Sequence, residues 1–220
     1  MKNKIYIFFL ILTLSILFFT KINSEENFNF NISELEVTEE GNLFKGSNGG
    51  EAYTEDGISI KAENFEYNKT SNILKASQNV LFYDKNKNTT ITSEEILYYK
   101  NIEKIIATGN VSIIDKNQKI NISANKIIYS KKENQIRAVD DVNYFDRIKN
   151  IKIIGEEIVY FQEKQKILAK NNVELNDLNK KVKIKTDEIT YLKKENKFFT
   201  EGITLADLNS KYKFKSKNIF

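Results

Sequence analysis

Cysteine, histidine, proline and tryptophan are all missing from these 220 residues, and methionine occurs once. Without cysteine there is no thiol nucleophile and no disulfide framework. Without histidine as well, His-based triads and the usual zinc sites are excluded. A basic excess is also lacking. Lys2, Lys4 and Lys21 lie in an acid-free leader, and beyond it 31 basic residues face 30 acidic ones. A nucleic-acid binder would carry a basic surplus or patch, so nucleic acid is not expected as a partner. No apolar run is long enough to span a bilayer comfortably, which takes about 20 residues. The longest, Ile5 to Phe19, has 15.

That run follows Lys2 and Lys4 and precedes the polar stretch Ile22-Asn23-Ser24-Glu25. A basic start, a short apolar core and a polar exit have the form of a secretory signal. Residues 1–24 are expected to be a signal peptide cleaved near Ser24, with an uncleaved anchor as the alternative. Either places the rest outside the cytoplasm. Residues 25–220 suffice for one sizeable domain. With 40% hydrophobic and 29% charged residues overall, the composition is not that of a disordered chain. Lacking disulfides, the exported part must hold by burial and strand pairing.

A repeat of 31 residues dominates that part. Tyr67, Tyr98, Tyr129, Tyr160 and Tyr191 are spaced at this period. So are Ile60, Ile91, Ile122, Ile153 and Ile184, and also Phe65, Ile96, Ile127, Ile158 and Ile189. Leu74, Ile105, Ile136, Ile167 and Phe198 form a further column, as do Val80, Val111, Val142 and Val173. Two columns are mostly small: Ala62, Ser93, Ala124, Gly155 and Thr186, then Ala76, Ala107, Ala138, Ala169 and Thr200. About six units result, starting at Phe28, Ile58, Thr89, Ile120, Ile151 and Val182, with a partial one from Tyr212.

Within a unit the apolar residues alternate, as in Ile58-Ser-Ile60-Lys-Ala62 and Phe65-Glu-Tyr67. Period two with β-branched and aromatic residues indicates half-exposed strands, not helices. Turn-forming groups such as Asn68-Lys-Thr-Ser-Asn72 and Asp84-Lys-Asn-Lys-Asn88 separate them. One unit cannot bury its apolar row alone, but stacked units bury a continuous one. The small columns mark where the sheet bends sharply or where two sheets close together.

Strings such as Ile105-Ile-Ala-Thr-Gly-Asn-Val111, Ile120-Asn-Ile-Ser-Ala-Asn-Lys-Ile-Ile-Tyr129 and Val182-Lys-Ile-Lys-Thr-Asp-Glu-Ile-Thr-Tyr191 resemble the repeat of the OstA-like domain of the lipopolysaccharide transport family. The resemblance covers about residues 28–220. It implies an all-β fold: an elongated, repetitive antiparallel β-jellyroll open along one side like a folded taco. It also implies a location in the periplasm of a Gram-negative bacterium, with association with the outer membrane as a variant. The implied partners are lipopolysaccharide, other OstA-like transport proteins joined end to end by strand pairing, and the inner- and outer-membrane complexes. No cofactor and no enzymatic activity are implied. Two departures stand out. There is no cysteine, whereas the outer-membrane member is often disulfide-linked. The last unit stops at Phe220, just before the next tyrosine position, as a fragment or a bridge awaiting a partner strand would.

The candidate lipid groove comprises the inward positions: Ile60, Phe65, Tyr67, Leu74 and Val80 in the second unit, and Ile91, Ile96, Tyr98, Ile105 and Val111 in the third. Ile122, Ile127, Tyr129, Ile136 and Val142 follow, then Ile153, Ile158, Tyr160, Ile167 and Val173, then Ile184, Ile189, Tyr191 and Phe198. At about 0.8 kcal/mol per methylene, an acyl chain of about twelve carbons gains roughly 10 kcal/mol there relative to water. Stacked β proteins bury such columns whether or not they bind a ligand, so the columns alone do not distinguish groove from core. The tyrosines are expected to form an aromatic ladder with hydroxyls at the solvent boundary. Lys131-Lys132 and Lys193-Lys194 are expected in solvated turns that protect the edges, with contact to phosphates at the rim of the groove as the alternative. Gly46-Ser-Asn-Gly-Gly50 lacks the Lys-Ser/Thr of a phosphate loop and is expected to be a turn. Glu94-Glu95 and Glu156-Glu157 are expected on solvated surface rather than in acid–base catalysis.

Two rival readings remain: a structural or adhesive β-solenoid without lipid ligand, and a polysaccharide-acting enzyme on a β-helix. Parallel coils with a sealed core would favour the first, and a carboxylate-lined cleft the second. Antiparallel pairing with an open apolar slot would favour transport.

Overall fold

A computed structural model describes residues 28–219, so the leader and its cleavage site lie outside the described residues. The described chain is fifteen strands and two 3₁₀ turns. The strands are β1 (Asn29–Thr38), β2 (Leu43–Tyr53), β3 (Ile58–Ala62), β4 (Asn64–Asn68), β5 (Ile73–Asp84), β6 (Thr89–Tyr99), β7 (Lys104–Asp115) and β8 (Ile120–Ser130). They continue as β9 (Gln135–Asp146), β10 (Ile151–Phe161), β11 (Lys166–Asp177), β12 (Val182–Leu192), β13 (Lys197–Glu201), β14 (Thr204–Leu208) and β15 (Tyr212–Ser216). Each pairs antiparallel with its neighbours in one continuous sheet, as a meander. Among the described residues there are therefore no parallel coils of the kind a solenoid forms. At about 4.8 Å per strand, the path of thirteen successive strands is roughly 60 Å long.

Every long strand is folded at its middle. Pairing slips register between Ser77 and Val80, Thr92 and Glu95, Thr108 and Val111, and Lys170 and Val173. The slip coincides with two successive left-handed residues in alternate strands: Gln78–Asn79, Gly109–Asn110, Asp140–Asp141 and Asn171–Asn172. An inserted pair of this kind bends a strand sharply. With so few glycines, Asn, Asp and Gln occupy positions that tolerate few other side chains. The two arms of each strand thus lie in different layers, joined along a bulged spine. In the first layer the arms run toward turns such as 85–88, 116–119, 147–150 and 178–181. In the second they run toward 100–103, 131–134, 162–165 and 193–196.

The two small columns flank the spine on either side, as their size suggested. Layers that meet at a fold cannot keep the usual separation of about 10 Å there, so only Ala, Ser, Gly or Thr fits. Gly46–Gly50 is not a turn. It lies within β2, and Asn48 and Gly49, at φ 62° and 82°, form that strand's bend. A Cβ on Gly50 would sit 2.6 Å from the Asn31 carbonyl oxygen and the Ile32 Cα, which only glycine avoids.

The turns continue the ladders. Lys116 N–H donates to the Asn88 carbonyl, Arg147 N–H to Lys119, and Leu178 N–H to Asn150, at 3.0–3.1 Å. In the second layer Lys131, Gln162 and Lys193 do the same to Glu103, Asn134 and Gln165. Each first-layer turn is closed by the aspartate that ends its strand. Asp115 Oδ1 accepts from Gln118 N–H at 2.8 Å, Asp146 Oδ1 from Ile148 and Lys149, and Asp177 Oδ1 from Asn179 and Lys180. This is the local side-chain bond that makes aspartate a turn former.

Candidate functional site

The space between the layers is lined by one face of every arm. All of the predicted groove positions point into it, and all but Phe198 are at most 6% exposed. Phe198 is half-buried and stacks on Tyr191 with ring centroids 4.7 Å apart. The same interior holds a column that sequence reading missed: Phe82, Ile113, Tyr144 and Leu175, all fully buried. It obeys the 31-residue period, so the signal for it was present in the sequence. Most of these side chains have no accessible surface, so no void of water size touches them. The interior of this structure is filled rather than an empty slot.

The edge opposite the spine, where the resemblance implies an opening, is a seam. Among the described residues no backbone hydrogen bond crosses it. Side chains alone lace it. Lys131 Nζ lies 3.2 Å from Asp84 Oδ2, and Lys193 Nζ 3.4 Å from Asp146 Oδ2. Between these pairs Gln162 Nε2 donates to Asp115 Oδ2 at 3.1 Å. Lys87 Nζ donates to Asn134 Oδ1 at 2.8 Å, Gln165 Nε2 to Gln118 Oε1 at 3.0 Å, and Lys193 Nζ also to the Gln118 carbonyl at 2.8 Å.

These contacts correct the expectation for the lysine-rich turns. Lys132 and Lys194 are solvated, but Lys131 and Lys193 are 8% and 5% exposed and turn inward onto buried carboxylates. Asp84, Asp115, Asp146 and Asp177 form a 31-residue column of their own. Lys69, Lys100, Lys131 and Lys193 form another, with Gln162 standing in one place. Both columns were legible as periodic, but a residue in a turn sequence reads as solvated until the opposite layer is known.

Most of the lacing joins residues 47 apart, which sets β5 opposite β8, β7 opposite β10 and β9 opposite β12. The layers are therefore sheared by three strands, about 14 Å at 4.8 Å per strand. Among the described residues, shear leaves arms without an opposite layer at each end. At the carboxy-terminal end, Val182, Ala206 and Leu208 are only half-buried, and Tyr212 and Phe214 are 64% and 52% exposed. At the amino-terminal end Leu35 and Val37 are exposed, while Phe28 packs edge-on against Tyr67 and Tyr98.

The tyrosine ladder exists, but its hydroxyls lie beneath the seam turns rather than at the solvent boundary. Tyr67 donates to Asn72 Oδ1 at 2.9 Å and Tyr191 to Asn196 Oδ1 at 3.4 Å. The Tyr144 and Tyr160 hydroxyls are buried and make no hydrogen bond to a protein group. Burial pushes the Tyr129, Tyr144, Tyr160 and Tyr191 phenols above their ordinary range, and the nearby aspartates add to this. All four stay protonated donors under physiological conditions.

The acidic pairs lie along the spine with Glu94 and Glu156 exposed. Glu95 pairs with Lys75 at 2.9 Å and Glu157 with Arg137 at 2.7 Å. The aspartates of the seam are the nearest thing to a carboxylate row, and they are engaged in turns and cross-layer contacts.

No protein-family model matches the sequence, and no curated protein matches it. Among solved structures the fold is similar to the crystal structure of LptH from Pseudomonas aeruginosa, described as the LptA-homologous periplasmic component of the conserved lipopolysaccharide transport device. Identity is 18%, the match covers 53% of this chain and 84% of that one, and the TM-score is 0.48.

Proposed function

We propose that this chain is a periplasmic bridge module of lipopolysaccharide transport, which takes acyl chains between its two β-layers. The observation that carries the reading is an apolar interior, continuous along the sheet, whose one long edge is held by side chains alone. Parting the layers there leaves every strand-to-strand hydrogen bond intact and pivots on the left-handed pairs of the spine. Acyl chains then replace protein side chains as neighbours of the Ile and Tyr columns. Apolar burial is nearly conserved in that exchange, so the cost of opening falls mainly on the seam contacts. The resemblance of the repeat strings to the OstA-like domain supports lipopolysaccharide as the cargo.

The sheared ends suit end-to-end assembly. The exposed arms of one copy, around Leu208 and Phe214, complement the uncovered arms of another around Leu35 and Val37. Among the described residues the outer edges of β1 and β15 pair with no further strand, and such an edge can add one. A second reading, a rigid structural rod, is favoured by the filled interior.

Photo-crosslinking in cells separates the two. A photoreactive residue at Ile122 or Tyr129 captures lipopolysaccharide if the layers part around lipid, and one at solvated Lys132 does not. Lipid captured at Lys132 but at neither interior site would leave the rod.

A further inference from the structure

Resting on the lipid-carrier reading, we infer that Lys131 and Lys193 are a receptor for the phosphate groups of an acylated lipid, held masked by Asp84 and Asp146 while the seam is closed. The four side chains lie between the apolar columns and the solvated turns. That is the level at which a charged head group sits when its acyl chains occupy the interior. An ammonium at that depth needs a counter-charge, and in the closed seam the aspartates provide it.

The construction of the pairs makes the counter-ion exchangeable. Each lysine belongs to the second layer and each aspartate to the first. Asp84 Oδ1 is tied into its own turn by Lys87 N–H at 3.1 Å, and Asp146 Oδ1 by Ile148 and Lys149 N–H. When the layers part, the carboxylates stay with the first layer and cannot follow the lysines. The outer oxygens, Asp84 Oδ2 and Asp146 Oδ2, have the lysine ammonium as their ionic partner and accept no hydrogen bond from their own layer. A phosphate oxygen offers the lysine a stronger, charge-assisted bond.

Donors without a protein acceptor lie in the same polar level: the buried hydroxyls of Tyr160 on the second layer and Tyr144 on the first. Their rings are 6.1 Å apart between centroids. Tyr144 is two residues before Asp146, on the same face of its arm, and Tyr160 lies on the tyrosine column between Tyr129 and Tyr191. Buried hydroxyls normally find an acceptor. Lys131 and Lys193 are four strands apart, about 19 Å at 4.8 Å per strand, so each takes its own phosphate.

The test uses the whole mature chain and three probes: a bis-phosphorylated acylated disaccharide, the same lipid with both phosphates removed, and inorganic phosphate. Affinities are read by displacement of a fluorescent acyl probe. Because Lys→Gln alone strands a buried carboxylate, the variant is K131Q/K193Q/D84N/D146N, which keeps the seam neutral, with circular dichroism to verify the fold. The wild type is expected to prefer the phosphorylated lipid by at least about tenfold, in keeping with the strength of charge-assisted bonds. The variant loses that preference and keeps its affinity for the dephosphorylated lipid. A preference that survives in the variant, or none in the wild type, overturns the receptor while leaving the carrier. Inorganic phosphate that displaces the lipid at its own low-millimolar affinity would make this a free-anion site and overturn the head-group assignment. Failure of both lipids to bind would remove the carrier reading itself.

Discussion

Replacing Lys131 by methionine asks whether the seam is a desolvated contact or a surface decoration. Asp84 is fully buried and Lys131 8% exposed. After the substitution Asp84 Oδ1 keeps its bond from Lys87 N–H, but the buried carboxylate has lost its counter-charge. Removing one partner of a buried pair costs about 3–5 kcal/mol, whereas an exposed pair is worth at most about 1 kcal/mol. The expected loss for Lys131→Met is about 3 kcal/mol, or roughly 6–12 °C in melting temperature for a domain of this length. Adding Asp84→Asn keeps an oxygen for the turn and removes the stranded charge. The double variant should therefore recover to within about 1–1.5 kcal/mol of wild type, less destabilised than Lys131→Met alone, so that the two substitutions are strongly non-additive. Urea and thermal unfolding followed by circular dichroism measure all four corners of the cycle. A Lys131→Met loss below about 1 kcal/mol, with additive single substitutions, would refute the closed, dry seam and with it the argument that opening costs chiefly these contacts.

Tyr160→Phe should be neutral or stabilise by up to about 1 kcal/mol, because its hydroxyl is buried without a protein partner. Tyr67→Phe, which breaks the bond to Asn72, should cost about 1 kcal/mol or more; equal losses in urea unfolding would contradict this. Lys181 sits in a left-handed position at φ 55°, so Lys181→Gly should raise stability by about 0.5–1 kcal/mol, read from the unfolding midpoint. Ala107 is fully buried beside the spine, and Ala107→Leu should cost at least about 2 kcal/mol by overpacking, with loss of near-ultraviolet dichroism. Burial opposes ionisation of Glu174, but bonds from Lys183, Asn176 and Lys185 outweigh it and hold the carboxyl at about 2, below its usual 4.5. A depressed folded pKa contributes stability that is full above about pH 4.5 and lost as pH falls toward 2. Glu174→Gln should thus cost up to about 1 kcal/mol at pH 7 after solvent screening, and nothing near pH 2.

Much of the interior was legible because it is periodic. Ile122, Tyr129 and their equivalents recur at 31 residues, alternate with polar neighbours and are bulky, so their inward direction follows from strand geometry. The small columns announced the spine for the same reason, since Ala107 and Ala169 leave room where layers converge. Lys131 and Lys193 were equally periodic and still misplaced. A lysine in a turn is solvated by default, and nothing within 31 residues of it shows what lies opposite. Gly46–Gly50 misled in a related way, because left-handed residues serve a strand bend as well as a turn. The cross-layer pairing of Lys131 and Lys193 with Asp84 and Asp146, and the filled interior, depend on the other layer and had no local signature.

The amino-acid order by itself determined a repeated strand unit, its inward face, its bends and the absence of thiol or imidazole chemistry. Those properties come from side-chain size, branching and alternation within a few residues of each other. Only the tertiary structure decided that the two layers are sheared by three strands, that the edge opposite the spine is laced shut by Lys131–Asp84 and Lys193–Asp146, and that among the described residues the arms at both ends lack an opposite layer. The offset depends on the twist and fold angle accumulated over the whole sheet, which no single unit carries.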